Sequence, residues 1–207
     1  MFKHIDMETL SRREREIQEL RSSIIDQSWK IIIEEGWQAL SIRKIADAIE
    51  YSVPVIYKHF ENKEAILEHF SREGFEILSE HISQALDNLD DPVQKLSAIA
   101  RAYWEFAAQH TPHYRIMFGL GIPHCEAIQS STEMKETSGY MLQAISEILE
   151  NVKNKKIDRH HMLKAFWSTL HGFIAIELLS NNVISAEVPE LVRDIVDVFI
   201  FTLTQNK

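Results

Sequence analysis

The sequence predicts an all-α fold, and three observations carry that prediction. Only six glycines and five prolines punctuate 207 residues, the stretches between them repeat apolar residues with a period of about 3.6, and 45% hydrophobic residues suffice for a real core. The expected architecture is an N-terminal three-helix helix-turn-helix domain, residues 1–62, followed by a larger helical domain, residues 63–207, with about nine helices in total.

The same totals exclude several classes. One cysteine, Cys125, cannot build an internal disulfide framework and fits a reducing compartment. The first residues lack the apolar run of a signal peptide, and no window approaches ~18 uninterrupted apolar residues; a soluble, cytoplasmic chain with no membrane partner is expected. A net charge of -9 argues against a chain that coats nucleic acid. Any DNA contact has to come from a local cationic face, because binding depends on local phosphate neutralisation.

Taken in order, Met1 to Ser11 reads as a polar arm with Lys3 and His4 able to brush DNA. Arg12 to Glu35 follows as a long helix with Ile17, Leu20, Ile24, Ile31 and Ile32 close to one stripe, and Gly36 ends it, because a glycine just past the last turn takes the left-handed conformation at no Cβ cost and lets the chain reverse. Ser41 stands where an N-cap hydroxyl meets a free amide, and Ile42, Ile45, Ala46 and Ile49 at i, i+3, i+4 and i+7 bury one face of a second helix. Ser52 is the expected cap of a third helix, with Pro54 in its first turn and Ile56 and Phe60 as its buried pair. Asn62 caps a long connecting helix from Lys63 to about Asn88.

Beyond it, Asp90-Asp91-Pro92 marks a stop and restart, and Val93 to Gln109 continues as an aromatic-rich helix. Thr111-Pro112 opens a short helix carrying Tyr114, Met117 and Phe118, closed by the loop Gly119 to Pro123 that leads to His124 and Cys125. A helix from about Ala127 or Thr132 to Val152, one capped by Asp158 and running to about Ser180, and one from about Ala186–Pro189 complete the chain. The last two, about 158–180 and 186–206, are apolar over more than one stripe, which predicts an interface with a second copy.

The outer face of the third helix carries the most informative chemistry. Tyr57, Lys58 and His59, with Ser52, Val53, Pro54 and Val55 toward its start, fit a major groove: hydroxyl and ammonium to phosphate or guanine, valines against thymine methyls. Arg43 and Lys44 on the second helix and Lys63 at the start of the fourth bracket that face as phosphate ligands. Spacing alone leaves open an ordinary three-helix packing unit.

From Ile24 through Leu67, about forty residues resemble the DNA-binding domain of the TetR family of transcriptional regulators. The matching stretches are Gly36-Trp37, Ser41-Ile-Arg-Lys-Ile-Ala46, Val55-Ile-Tyr-Lys-His-Phe60 and Asn62-Lys-Glu-Ala-Ile-Leu67. The departure is Glu50, where the family usually has a glycine. Trp167-Ser-Thr-Leu-His-Gly172, with Pro112 to Phe118 upstream, is similar to the family's regulatory domain of the Trp-His-Gly type. The resemblance implies a homodimer formed through the last two helices and bound to double-stranded DNA. Its function would be that of a repressor released from a pseudo-palindromic operator when an effector tilts the helix that begins at Lys63.

Tyr103, Trp104, Phe106, Met117, Phe118, Met141, Phe166, Trp167 and Phe173 are the candidate effector pocket. So many large apolar groups beside a glycine-rich loop suit an apolar or aromatic effector, and the scarcity of cations among them disfavours an anion. The histidines His110, His113, His124, His160, His161 and His171 lack the spacing of a structural zinc site, so no metal is expected, nor any cofactor. His171, one turn after Trp167, reads as a packed imidazole with a satisfied nitrogen at a helix interface. No phosphate-cradling loop, nucleophile elbow or metallopeptidase motif is present, so no catalytic residue is expected. The competing readings are a thiol-oxidation sensor at Cys125 and a dimeric sensor or interaction protein without DNA binding.

Overall fold

In the computed structural model, residues 11–119, 132–153, 156–181 and 184–205 are described, and they form nine α-helices with one short 3-10 turn. The expected arm up to position 10, with Lys3 and His4, and the loop through Gly121, Pro123, His124 and Cys125 lie outside the described residues. The chain divides into two compact units between His69 and Phe70.

The first unit begins with α1 (Arg12–Glu35). Ser11, expected in the polar arm, is instead its cap: the Glu14 amide donates to the Ser11 hydroxyl at 3.4 Å, and the Ser11 amide donates to the Glu14 carboxylate at 2.8 Å. Residues 11–19 are all exposed, so Ile17 does not join the core as expected; burial starts at Ile24 and continues at Ser28, Ile31 and Ile32. Gly36 ends α1 at φ 86°, ψ 156°, a region open essentially only to glycine. The 3-10 turn Trp37–Ala39 and α2 (Ile42–Ala48) follow, with the Lys44 amide donating to the Ser41 hydroxyl at 3.2 Å. Ile42, Ile45 and Ala46 are buried as the spacing requires.

The turn after α2 passes through Glu50 at φ 59°, so this residue adopts the left-handed conformation that a glycine would take without strain. A Tyr51 amide bond to the Ala46 carbonyl at 2.9 Å closes the turn. α3 (Val53–Ile56) is a single turn of α-helix, shorter than the expected reading helix. Lys58 and His59 donate three residues back, to Val55 at 3.1 Å and Ile56 at 2.9 Å, so Tyr57 to His59 wind on as a tighter turn. Ser52 occupies the N-cap position of α3 but its hydroxyl makes no capping bond, a correction to its expected role. The Ala65 amide donates to Asn62 Oδ1 at 2.8 Å and starts α4 (Lys63–Leu86), within which the second unit begins.

The second unit continues through α5 (Pro92–Gln109), α6 (Thr111–Met117), α7 (Thr132–Asn151), α8 (Arg159–Asn181) and α9 (Glu190–Thr204). Asp91 caps α5 through the Val93 amide at 3.3 Å, and Asp158 caps α8 through the His160 amide at 2.8 Å. One core joins all of these helices, with Leu78 and Ile82 from α4, Ile99 and Phe106 from α5, Ile145 and Ile148 from α7, Phe166 and Leu170 from α8 and Val196 from α9. At Gly74 a Cβ would lie 2.5 Å from Met117 Sδ and 3.2 Å from His113 Cβ, so only the missing side chain lets α4 and α6 approach this closely. Trp104 holds the segment between α8 and α9 by donating Nε1–H to the Ser185 carbonyl at 2.9 Å and the Glu187 carbonyl at 3.1 Å, while its ring stacks on Phe173.

α8 and α9 do not bury all of their apolar surface. Ile176, Leu179, Val198 and Phe201 are 61%, 76%, 67% and 63% exposed. Along α8 the apolar side chains are spread around the helix, and Arg159–Ser180 is long and apolar enough to cross a membrane by length and composition, with a mean hydropathy of 1.2. Leu170, Ile174 and Leu178 of that helix are nevertheless part of the core, and Leu191 and Val198 extend the exposed apolar surface onto α9.

Candidate nucleic-acid interface and regulatory core

Two side chains fix which face of α3 looks outward. Ile56 and Phe60, four residues apart, are buried, so the positions between them are carried to the opposite side. Tyr57 is 53% exposed, Lys58 is exposed, and Val53, Val55 and His59 are half-buried at the edges of that face, with Ser52 and Pro54 exposed at its start. The result is a compact aromatic, basic and apolar surface, the mixture that groove contact to phosphates, base edges and thymine methyls uses.

The flanking cations divide by environment. Arg43 is exposed, with only Asp47 at 3.9 Å nearby. Lys44 is in an ion pair with Glu35. The Lys63 ammonium lies 3.3 Å from the Gln38 carbonyl and 5.6 Å from the centre of the Trp37 ring, which ties the start of α4 to the 3-10 turn. The unit as a whole is not basic: its first 69 residues hold ten Lys and Arg against thirteen Asp and Glu. Any attraction for DNA is therefore local to the outer face of α3 and to Arg43.

One residue at this surface escaped the sequence reading. Arg21, on α1, donates from Nη1 to the His59 carbonyl at 2.9 Å and lies over the Phe60 ring at 4.2 Å. Nothing in its spacing singles it out, because its partners are 38 and 39 positions further along the chain. Burial first, and then the charges of Arg21 and Lys58, hold the His59 imidazole below its usual range.

In the second unit the candidate pocket residues fall into different settings. Tyr103, Phe106, Met141 and Phe166 are fully buried in the core, and Trp104 is stacked on Phe173. Tyr103, Phe118 and Trp167 come together around two residues outside the candidate set, Tyr114 and His171. Trp167 Nε1 donates to the Tyr103 hydroxyl at 2.9 Å, and the Tyr114 hydroxyl sits 2.6 Å from His171 Nδ1. Phe118 packs at 4.8 Å from the Tyr114 ring and 4.5 Å from the His171 ring. Met117 lies against Gly74. Burial pushes the phenols of Tyr103 and Tyr114 up and the His171 imidazole down, which favours the uncharged form of all three. His171 is thus the satisfied, packed imidazole expected from its position.

A separate run of rings links α4 to the α5–α6 junction: His81 and His110 are 5.3 Å apart, His110 and His113 are 6.1 Å apart, and His113 Nε2 is 3.3 Å from the Glu73 carboxylate. Among the described residues no group of three or more His, Cys, Asp and Glu side chains has the arrangement to hold a metal ion. Two clefts stand out there: one of about 680 Å³ where α7 gives way to α8, beside Leu149, Ile157 and His160, and one of about 460 Å³ between α5 and α9, beside Val93, Arg101 and Val192. Neither is lined by the nine candidate pocket residues.

Comparison with known proteins agrees with this architecture. Residues 24–70 match the family model described as bacterial regulatory proteins, tetR family, and residues 96–199 match the model described as tetracyclin repressor-like, C-terminal domain. The second description does not specify the Trp-His-Gly subtype. The HTH-type transcriptional activator FasR of Mycolicibacterium smegmatis is 27% identical over 100 residues, 48% of this chain and 46% of that protein. The fatty acid metabolism regulator protein of Bacillus subtilis is 26% identical over 131 residues, 63% of this chain and 61% of that protein. These matches span about half the length of the curated relatives. Among solved structures, the transcriptional regulator FadR from Bacillus subtilis in complex with stearoyl-CoA is 15% identical with a TM-score of 0.69, covering 86% of this chain and 97% of that one, and shares the fold. The helix-turn-helix unit, the helical unit behind it and the two family matches lead to one assignment: the chain belongs to the TetR family of bacterial regulatory proteins.

Proposed function

We propose that this protein is a DNA-binding transcriptional regulator, a homodimeric repressor that leaves a pseudo-palindromic operator when an apolar effector binds its C-terminal domain. The observation that carries this reading is the outer face of α3, where Tyr57 and Lys58 stand exposed directly behind the buried pair Ile56 and Phe60. Arg43, Lys44, Ser52, Val53, Pro54, Val55, His59 and Lys63 complete the DNA-facing set, with residues 1–62 as reader and 63–207 as effector and dimerisation domain. Two readers placed by a two-fold axis would enter successive major grooves about one helical turn apart. The exposed apolar faces of α8 and α9 supply that axis, with a second copy of the chain covering Leu179 and Val198.

The effector is of the fatty acyl class, whose apolar chain suits an apolar interior; its head group is anionic, so this reading departs from the expectation that an anion is disfavoured. Support comes from the apolar, aromatic interior around Tyr103, Phe118 and Trp167, and from relatives whose names refer to fatty acid metabolism and to a stearoyl-CoA complex. Binding would act by preferring one setting of α4 over another, since only differential affinity shifts an equilibrium.

Selection of bound sequences from random DNA by the purified protein tests the reading. The expected result is an inverted-repeat motif whose complex is dissociated by stearoyl-CoA. Recovery of no motif, at low as well as moderate salt, refutes DNA reading; a motif whose complex is indifferent to stearoyl-CoA and to free stearate refutes the acyl effector alone.

A further inference from the structure

The segment proposed to read DNA buries few side chains. α3 is one helical turn, and of the residues from Val53 to Phe60 only Ile56 and Phe60 are buried. Two buried side chains on one face set how far the segment sits from the core, and its tilt about the line that joins them is left to the half-buried Val53, Val55 and His59 and to contacts from other helices. Its C-terminal end, from Tyr57 to His59, is a tight turn whose carbonyls lie beyond the last helical turn and need partners from elsewhere.

We propose that Arg21 is the positioning residue of the DNA-reading segment: reaching across from α1, it binds the His59 carbonyl and covers the Phe60 ring, and so sets the angle at which Tyr57 and Lys58 are presented without itself touching DNA. The guanidinium is suited to both contacts at once. Its edge donates to the carbonyl at 2.9 Å, while its planar face lies 4.2 Å from the ring centre. A lysine ammonium has the charge but neither the flat face nor the fork, so one contact has to be given up. Arg21 is half-buried, whereas Arg43 is exposed and available to a phosphate. The proximity of Arg21 also helps to keep the neighbouring His59 uncharged, in second place after burial. The edge of the reading face is therefore a neutral hydrogen-bonding ring.

This inference rests on the DNA-binding reading above. Its test compares full-length wild-type protein with Arg21→Lys and Arg21→Met on two duplexes of equal length, the motif recovered by selection and a scrambled version of it. Both variants are expected to lose about tenfold in affinity for the motif, the scale of a charge-assisted hydrogen bond. Affinity for the scrambled duplex should stay within about twofold for Arg21→Lys, which keeps the charge, and the slope of log affinity against log salt should not change. Hydrogen exchange at residues 57–60 should speed up while exchange in α2 does not.

A parallel loss on both duplexes for Arg21→Lys, or a slope for Arg21→Met lower by about one, would make Arg21 a phosphate ligand and overturn the proposal. Unchanged affinity for the motif would overturn it as well. Should the Arg21 variants fail to fold, Phe60→Leu removes the ring and keeps an apolar side chain; it is expected to lower specificity in the same way, and unchanged specificity counts against the proposal. If selection recovers no motif at all, the DNA-binding reading is what fails, and faster exchange at residues 57–60 in Arg21→Lys still decides whether Arg21 anchors the segment.

Discussion

Replacing Glu50 by glycine should make the protein more stable, although it removes a whole side chain. Glu50 sits at φ 59°, and an L-residue in the left-handed region pays about 1–2 kcal/mol through crowding of its Cβ against the following carbonyl. Glycine escapes that crowding but loses about 0.5–1 kcal/mol more chain entropy on folding. The side chain is exposed and no hydrogen bond or ion pair from it is among the contacts described, so little else changes. The net expectation is a stabilisation of about 0.5–1 kcal/mol. For a chain of this size that corresponds to a rise in melting temperature of roughly 1–4 °C. Urea denaturation followed by circular dichroism measures it, with Glu50→Ala as the control: alanine removes the charge and the same distal atoms but keeps the Cβ. The reasoning fails if Glu50→Gly is no more stable than Glu50→Ala, since the Cβ is then not the source of strain.

At Gly36 the sign reverses: φ 86° with ψ 156° excludes a Cβ, and Gly36→Ala should destabilise by about 1–3 kcal/mol in the same assay. The histidines His59, His110 and His171 are held below the usual imidazole range, in each case chiefly by burial. Their contribution to stability is fully present above the unfolded value of 6.5 and is lost as pH falls through their lower folded values, because the unfolded chain takes up protons first. Denaturation midpoints between pH 7.5 and 5.5 should therefore fall less for His171→Asn than for wild type; equal slopes would remove His171 from this account. Leu179→Glu combined with Val198→Glu should give a monomer in sedimentation at concentrations where wild type is a dimer, with the helix content of each chain retained. On DNA, Arg43→Ala should lower the salt slope by about one with little change in stability, whereas Lys63→Ala should also lower the melting temperature, because Lys63 tethers α4 to Trp37 and Gln38.

Most of the fold was legible because it depends on local chemistry. Caps at Ser41, Asn62, Asp91 and Asp158 and the stop at Gly36 each act within a few residues of chain, and the helices begin and end where those side chains require. The outward face of α3 was legible for the same reason, since Ile56 and Phe60 fix its direction by helical spacing alone. What was not legible depended on where distant segments meet. Arg21 finds its partners only once α1 packs beside α3, and Ile17 continues an apolar stripe that the core does not reach. Lys63 read as a phosphate ligand, and its tie to the ring and carbonyl of the 3-10 turn emerges only once those distant segments meet. The aromatic residues of the second unit show the same limit: composition marked them as large and apolar, but the partition into packed core at Phe106 and Phe166 and a hydrogen-bonded cluster at Tyr103, Trp167, Tyr114 and His171 is set by tertiary contacts.

The apolar residues left uncovered on α8 and α9 carry a consequence for how such a protein is regulated by its own abundance. If a second copy covers Leu179, Val198 and Phe201, association and folding are linked by mass action: each tenfold rise in concentration deepens the native state, and dilution erodes it. A newly made protomer with no companion would carry sticky helices into a crowded environment, and would be the species that proteases and chaperones meet. Occupancy of a two-fold DNA site would then rise with the square of protomer concentration when dimers are scarce. The surface that sets the symmetry would thus also set a threshold, below which the regulator is unstable and absent from DNA.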